Sequence, residues 1–368
     1  MTVHTLANDI FSSFKVGGLS FANRIAMSAL TRCRAGANGE PSPLTSAYYR
    51  QRASAGLILT ESIAVAPVGR GGPNVPGLWS DGQTRAWRGV TDAVHEEGGV
   101  IFAQLVHCGR IAHSSFGENG EPIVGPSPIA APGEIETAAG MVPREVPHAL
   151  RPDELKDVAQ IYRRAAENAR RAGFDGIELH AAHGCLPETF LRDGTNHRTD
   201  SYGGSAINRV RFPVELVEAL TRSFDADRIS VRISPNTTGC GMIDRDPDAT
   251  FGTLVEQLNR IGIGWLDLIE GENLVTRDCP GGADTDALLR TFHGRKIVGH
   301  GYGLALAEKA LAEGRADMVA FGRPFLANPD LVERLRAGAP LAPEAPRELW
   351  YGGGAAGYTD FPRLTHPK

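Results

Sequence analysis

Three observations predict a single α/β domain over residues 1–368, folded as a (β/α)8 barrel. Short apolar runs alternate with helical patterns along the whole chain, and eight such strands can be counted. The length of 368 residues suits one barrel with insertions, since barrels commonly run about 250 residues and pass ~400 when elaborated. Two histidines, His180 and His183, follow directly on the apolar run Gly176–Leu179. The carboxyl ends of buried strands are where a parallel barrel places its chemistry.

The elements follow in order. Phe14 to Phe21 is two strand-like runs around Gly17-Gly18, a hairpin signal. Asn23–Met27 is the first barrel strand, with Ser28 to Arg32 leaving its end. Pro43 to Ala55 reads as a helix opened by proline, and Gly56–Glu61 as the second strand. Arg85–Glu97 has helical spacing, and Gly99–Leu105 is the third strand. Arg110 to Arg151 is rich in Pro and Gly and carries no strong period, and a loop of that length is either a functional lid or disordered. Pro152 to Ala172 is a long helix with Pro in its first turn. After the fourth strand, a helix runs from about Asn208 to Phe224. Arg228–Ser234, Trp265–Glu270, Lys296–Gly299 and Asp317–Gly322 are strands five to eight. Asp248–Ile261, Leu304–Glu313 and a segment from Asp330 are helical. No internal repeat and no linker divides the chain.

Composition narrows the partners. The net charge is −5 and there is no Lys/Arg run, which argues against nucleic acid or an anionic membrane. No apolar stretch approaches the roughly 20 residues of a membrane span. The start, Met1 to Asp9, has neither a basic nor a hydrophobic region, so no signal peptide is expected. Five cysteines, at 33, 108, 185, 240 and 279, never form C-x-x-C. Their scatter fits reduced thiols in the cytoplasm and supplies no zinc or iron–sulfur framework.

Three constellations carry candidate chemistry. The loops after strands seven and eight read Gly299-His-Gly301-Tyr-Gly303 and Gly322-Arg323-Pro324. Barrels bind phosphate with backbone N–H groups in these loops, although turn glycines beside a solvated Arg would look the same. Arg232 sits in mid-strand and needs an anion, because an unpaired buried charge is expensive. That anion is either a ligand or an internal carboxylate such as Glu178 or Glu270. His180-x-x-His183 suits a metal, a pair of hydrogen-bond donors or packed core histidines. No third ligand lies at a motif spacing, so no metal is expected.

The stretch His180-Ala-Ala-His183-Gly-Cys185-Leu, with Phe190-Leu-Arg192-Asp193, Asn196-His-Arg198-Thr-Asp200-Ser-Tyr202-Gly-Gly204 and Asn208-Arg209, resembles the signature of the Old Yellow Enzyme family. Gln104-Leu-Val106-His107, Gly322-Arg323-Pro-Phe-Leu-Ala-Asn328-Pro-Asp330 and the tail from Leu349 extend the likeness over nearly the whole chain. The resemblance implies a barrel with a small hairpin in its lid, non-covalent FMN, and NADH or NADPH as reductant. It implies reduction of enones, with nitro compounds as a further class, by hydride transfer from flavin N5. It places Gly301, Gly322 and Arg323 at the FMN phosphate, Arg232 and Gln104 at the pyrimidine edge, and Thr31 and the Ser62 backbone near the O4/N5 side. His180 and His183 become donors to the substrate oxygen, and Tyr351 and Val106 line the substrate pocket.

One position departs from the family pattern. Cys185 stands where a Tyr is usually taken as the proton donor. Thiol acidity is no obstacle on reference values, but the short side chain falls short of a phenol's reach. Cys185 is therefore expected to be non-essential, with water or Tyr351 delivering the proton. A flavin-binding protein of little turnover is the alternative, and an iron–sulfur dienoyl-CoA reductase relative lacks its cysteine cluster here. Monomer and homodimer are both compatible with this reading.

Overall fold

The computed structural model describes residues 9–118, 120–271 and 279–364. Among these, eight parallel strands close into a barrel: β1 (Ile25–Met27), β2 (Leu57–Leu59), β3 (Ile101–Val106), β4 (Gly176–Ala181), β5 (Ile229–Ile233), β6 (Trp265–Ile269), β7 (Arg295–Gly299) and β8 (Met318–Phe321). Each pairs in parallel with the next, and β8 pairs with β1, which closes the ring. The eight expected strands are all present. Full burial of β1 to β6 explains why they read as continuous apolar runs rather than alternating ones.

Eight helices surround the ring: α1 (Pro43–Arg50), α2 (Asp81–His95), α3 (Pro152–Arg171), α4 (Arg211–Leu220), α5 (Pro247–Ile261), α6 (Thr285–Thr291), α7 (Leu304–Ala312) and α8 (Leu331–Ala337). Helix α2 starts four residues earlier than its spacing suggested, because Ser80 and Gln83 form a capping box. Helix α1 stops at Arg50, short of the expected Ala55. The buried Arg52 guanidinium takes the Tyr48 carbonyl at 2.9 Å, and the Arg52 N–H turns to Tyr49 instead. The helix expected from Asn208 breaks in two, Ala206–Arg209 and α4. Pro213 has no N–H to donate to the Arg209 carbonyl, so the ladder cannot run through.

The hairpin Phe14–Val16 with Leu19–Phe21 forms as expected, with Gly17 and Gly18 at φ +55° and +77°. A primed two-residue turn needs positive φ at both positions. The hairpin closes the amino end of the barrel. Phe21 stacks on Phe14 at 4.9 Å between ring centroids and meets Trp265 edge-on at 5.3 Å. Phe102, Leu57, Ile297 and Met318 pack with them. With the floor sealed in apolar side chains, polar chemistry has only the carboxyl end available.

At that end lies the lid. It carries the small antiparallel hairpin Glu134–Thr137 with Gly140–Pro143, and its base is tied by Val124–Gly125 paired to His148–Ala149. Buried Arg110 pins it, donating to the Ile129 and Ala130 carbonyls on the lid and to the Cys240 carbonyl across the mouth. Among the described residues, no helix is long and apolar enough to cross a membrane.

Candidate active site

Above the apolar floor the barrel interior turns polar. Register places Glu178 beside Gln104 on β3 and Ser230 on β5, and His180 beside Arg232, which faces Asp267 on β6. Glu178 is fully buried. It accepts from Gln104 Nε2 at 2.8 Å and from Ser230 Oγ at 2.7 Å. Arg232 donates to Ser28 Oγ at 3.2 Å and stands 3.5 Å from Asp267 Oδ2. The ion pair is therefore with Asp267, not with the Glu178 or Glu270 suggested by the sequence. Glu270 pairs with Arg315 instead. Burial pushes the Glu178 carboxyl up to about 8, with the Asp267 charge as second cause, and burial also raises Asp267.

The two histidines come from a strained turn. His180 ends β4, and His183 takes φ +55°, unusual for a residue with a β-carbon. The turn is held from behind. The His183 N–H donates to Ser234 Oγ at 3.0 Å, and the Gly184 N–H to Glu188 Oε2 at 2.7 Å. Glu188 is in turn locked by Arg192 at 2.6 Å, and Arg192 donates to the Ser234 and Pro235 carbonyls. Asn196 donates to the Phe190 and Tyr202 carbonyls, and Arg209 to that of Leu191. Most of the long signature thus builds a platform for two imidazoles rather than touching any ligand.

That platform brings the rings of His180 and His183 to 5.6 Å, tilted by 48°. Burial, then neighbouring positive charge including Arg232, holds His180 well below its usual value and His183 down to about 3. Both imidazoles are neutral at pH 7, each with one N–H. His180 Nδ1 is buried without a hydrogen-bond partner, and so are Nε and Nη1 of Arg232, Nη1 being the atom that faces Asp267 Oδ2 at 3.5 Å. Arg232 Nε and His180 Nδ1, on adjacent strands, are thus left for a polar ligand.

The remaining expected residues fall around this centre. Ser62 Oγ donates to Gln104 Oε1 at 2.6 Å. Thr31 is half-buried between Ser28, bonded by Arg232, and Arg32, whose N–H donates to Glu61 Oε2. Gly301, at φ +65°, has no atom within 4 Å of where a Cβ would stand, so its backbone is open to approach. Gly322 precedes the short helix Arg323–Ala327. Arg323 pairs with Glu344 at 3.2 Å, so the solvated alternative survives for its side chain. Val106 and Cys185 are buried together, with Cys108, Ala64 and Val68. Tyr351 is 58% exposed and neighbours Trp350.

Sequence reasoning missed two features. Asp267 was legible as the one charge inside the apolar run Trp265–Ile269. Arg32 and Arg34 anchor the tail through the carbonyls of Leu349, Trp350 and Gly357, and those long-range bonds had no local signal. Among the described residues, no group of three or more His, Cys, Asp and Glu could hold a metal.

The family model described as NADH:flavin oxidoreductase / NADH oxidase matches residues 9–342. A 12-oxophytodienoate reductase 7 of Oryza sativa subsp. japonica is 37% identical, over 98% of this chain and 95% of that protein. A probable flavin mononucleotide-dependent alkene reductase of Leishmania infantum is 39% identical, over 94% of this chain and 95% of that protein. Among solved structures, morphinone reductase superposes with a TM-score of 0.92 at 40% identity, covering 98% of each chain. It has also been solved in complex with tetrahydroNAD. An old yellow enzyme homologue from Zymomonas mobilis gives a TM-score of 0.91 at 39% identity, covering 97% of this chain and all of that one.

Two neutral buried imidazoles have a consequence for stability. The unfolded chain binds protons on these histidines below about 6.5, while the folded chain does not until near 3 for His183. Their contribution is therefore intact above about pH 6.5 and lost as pH falls towards 3, by at most ~1.4 kcal/mol per pH unit for each. Urea unfolding of His183→Asn between pH 7 and pH 4 should show a shallower loss than the parent. Parallel curves would mean that His183 is charged in the folded protein.

Proposed function

The chain belongs to the NADH:flavin oxidoreductase / NADH oxidase family, and from that premise we propose that it holds FMN non-covalently at the polar end of its barrel and uses NADH or NADPH to reduce the activated C=C bond of α,β-unsaturated carbonyl compounds. One observation carries the reading. Two neutral imidazoles stand side by side next to a buried guanidinium, and that guanidinium and one imidazole have polar atoms without a hydrogen-bond partner. FMN fits that demand. Arg232 and Gln104 would hold its pyrimidine edge, Thr31 and the Ser62 backbone would stand on its O4/N5 side, and the open backbone at Gly301 and Gly322-Arg323 would take its phosphate.

FMN, when bound, would supply hydride chemistry, taking a hydride from the nicotinamide for delivery to the substrate's β-carbon. The protein's part is to bind, orient and stabilise. Hydride addition builds enolate charge on the carbonyl oxygen. His180 and His183 each offer one N–H to that oxygen, preorganised by the Ser234 and Glu188 contacts behind the turn. Neutral imidazoles suit this role because they donate without drawing a counter-ion into the pocket. Arg232 would hold the flavin edge where negative charge grows on reduction and would offset that charge. Val106 and Tyr351 bound the substrate space. Nitro compounds present a comparable pair of oxygens and form a second substrate class.

Cys185 does not serve as the acid. Its hydrogen bond with Cys108, then burial, push the thiol well above its ordinary value, so acidity now joins reach as an obstacle, contrary to the expectation from reference values. The α-carbon proton comes from water or Tyr351. The lid, pinned by Arg110, limits solvent access to the mouth.

Phenolates mimic the enolate and should bind the oxidised holoenzyme with a long-wavelength charge-transfer band. His180→Ala and His183→Ala should each weaken that binding by roughly 1.5–3 kcal/mol, the worth of a hydrogen bond to a charged group. Parent-like phenol affinity in both variants would remove the oxygen-binding role. Cys185→Ala should slow the enone half-reaction less than tenfold, about 1.4 kcal/mol of barrier. A hundredfold loss confined to that step, with phenol binding intact, would make Cys185 the donor after all.

A further inference from the structure

Charge counting beside the histidines leaves a surplus. Glu178 and Asp267 are both fully buried, on β4 and β6, with Arg232 between them on β5. Two carboxylates and one guanidinium would carry a net negative charge into a closed barrel. Such a charge, cut off from water, is costly enough that a proton is taken up instead.

Among the described residues, the groups that pack around the pair do not cancel it. From β1 comes Ser28, from β3 Gln104 and from β5 Ser230, none of them charged. His180, level with Arg232, and His183 are neutral, and His300 bears on His183 as a positive charge. The floor beneath is Leu57, Leu59, Ile297, Met318 and Trp265. The two carboxyls are not equivalent. Glu178 has a donor on each oxygen, while neither oxygen of Asp267 has a hydrogen-bond partner. Arg232 at 3.5 Å is the cation recorded beside Asp267.

Resting on the FMN reading above, we propose that Glu178 and Asp267 hold one proton between them, and that this shared proton ties the flavin's reduction potential to pH: where the oxidised enzyme has lost it, reduction draws it back. Reduction brings two electrons and one proton to the flavin and leaves it anionic beside Arg232. That added charge makes the neighbouring carboxyl pair a stronger base. Below the pH at which the pair ionises, it is protonated before and after reduction. Above it, a carboxylate plus one proton from solvent becomes a carboxylic acid as the flavin is reduced. Glu178, pushed up to about 8, sets where that change begins. Asp267 and Glu178 are thus positioning residues, acting on the flavin through Arg232.

Removing either carboxyl removes the surplus. One remaining carboxylate balances Arg232 and stays ionised across the range, so no second proton follows the electrons.

The test is the midpoint potential of bound FMN, read by its absorbance against redox dyes, from pH 6.5 to pH 9.5. In the parent, the reduced-to-oxidised ratio should fall by one factor of ten per pH unit below about 8 and by two above it. Each factor is ~30 mV for a two-electron couple. Asp267→Asn and Glu178→Gln should each keep the single slope throughout. A parent with one slope overturns the proposal without reference to any variant, which covers the case in which a variant fails to fold. A break retained in both variants also overturns it. A parent that binds no FMN removes the flavin reading and this one together, an outcome distinct from a holoenzyme with a straight profile.

Discussion

A guanidinium in the middle of a closed barrel is the constraint on which the rest depends. Arg232 can stay charged there only with carboxylate nearby, and Asp267 at 3.5 Å supplies it. The register that brings Arg232 beside Asp267 also sets it beside His180. One row across β4, β5 and β6 therefore fixes the cation, its counter-ion and the first of the two imidazoles at one height. The apolar floor of Phe21, Phe102 and Trp265 is what makes that height dry.

Strain at the histidine turn is the second element. His183 holds a backbone conformation that costs of order 1–3 kcal/mol unless its surroundings enforce it. The enforcement is visible. Ser234, Glu188 and Arg192 hold the turn from behind through a buried charge pair whose spare bonds go to backbone carbonyls. Most of the long signature after β4 thus holds the turn that carries His180 and His183.

Much of this was legible in the sequence, because the signals were local. Eight apolar runs, the Gly17-Gly18 turn and the Pro152 helix start each depend on a few adjacent residues. The lid hairpin came from resemblance rather than period. The helix near Asn208 was misjudged because its apolar spacing continues through Pro213 while its hydrogen bonding does not. What sequence could not supply was pairing across strands. Arg232 announced the need for a partner, but choosing Asp267 over Glu178 and Glu270 required register. The acidity of Cys185 was misread for the same reason, since its contact with Cys108 joins the end of β3 to the turn after β4. The bonds from Arg32 and Arg34 that anchor the tail join residues more than 300 positions apart in the chain.

The central claim is that His180 and His183 activate an oxygen while a flavin held by Arg232 reduces the carbon conjugated to it. Anaerobic stopped-flow mixing of the NAD(P)H-reduced, FMN-loaded protein with 2-cyclohexenone tests it directly. The account predicts that the flavin absorbance returns to its oxidised form in step with loss of the enone and appearance of cyclohexanone. A reduced flavin that stays reduced in excess enone, in protein shown to bind FMN, would contradict it.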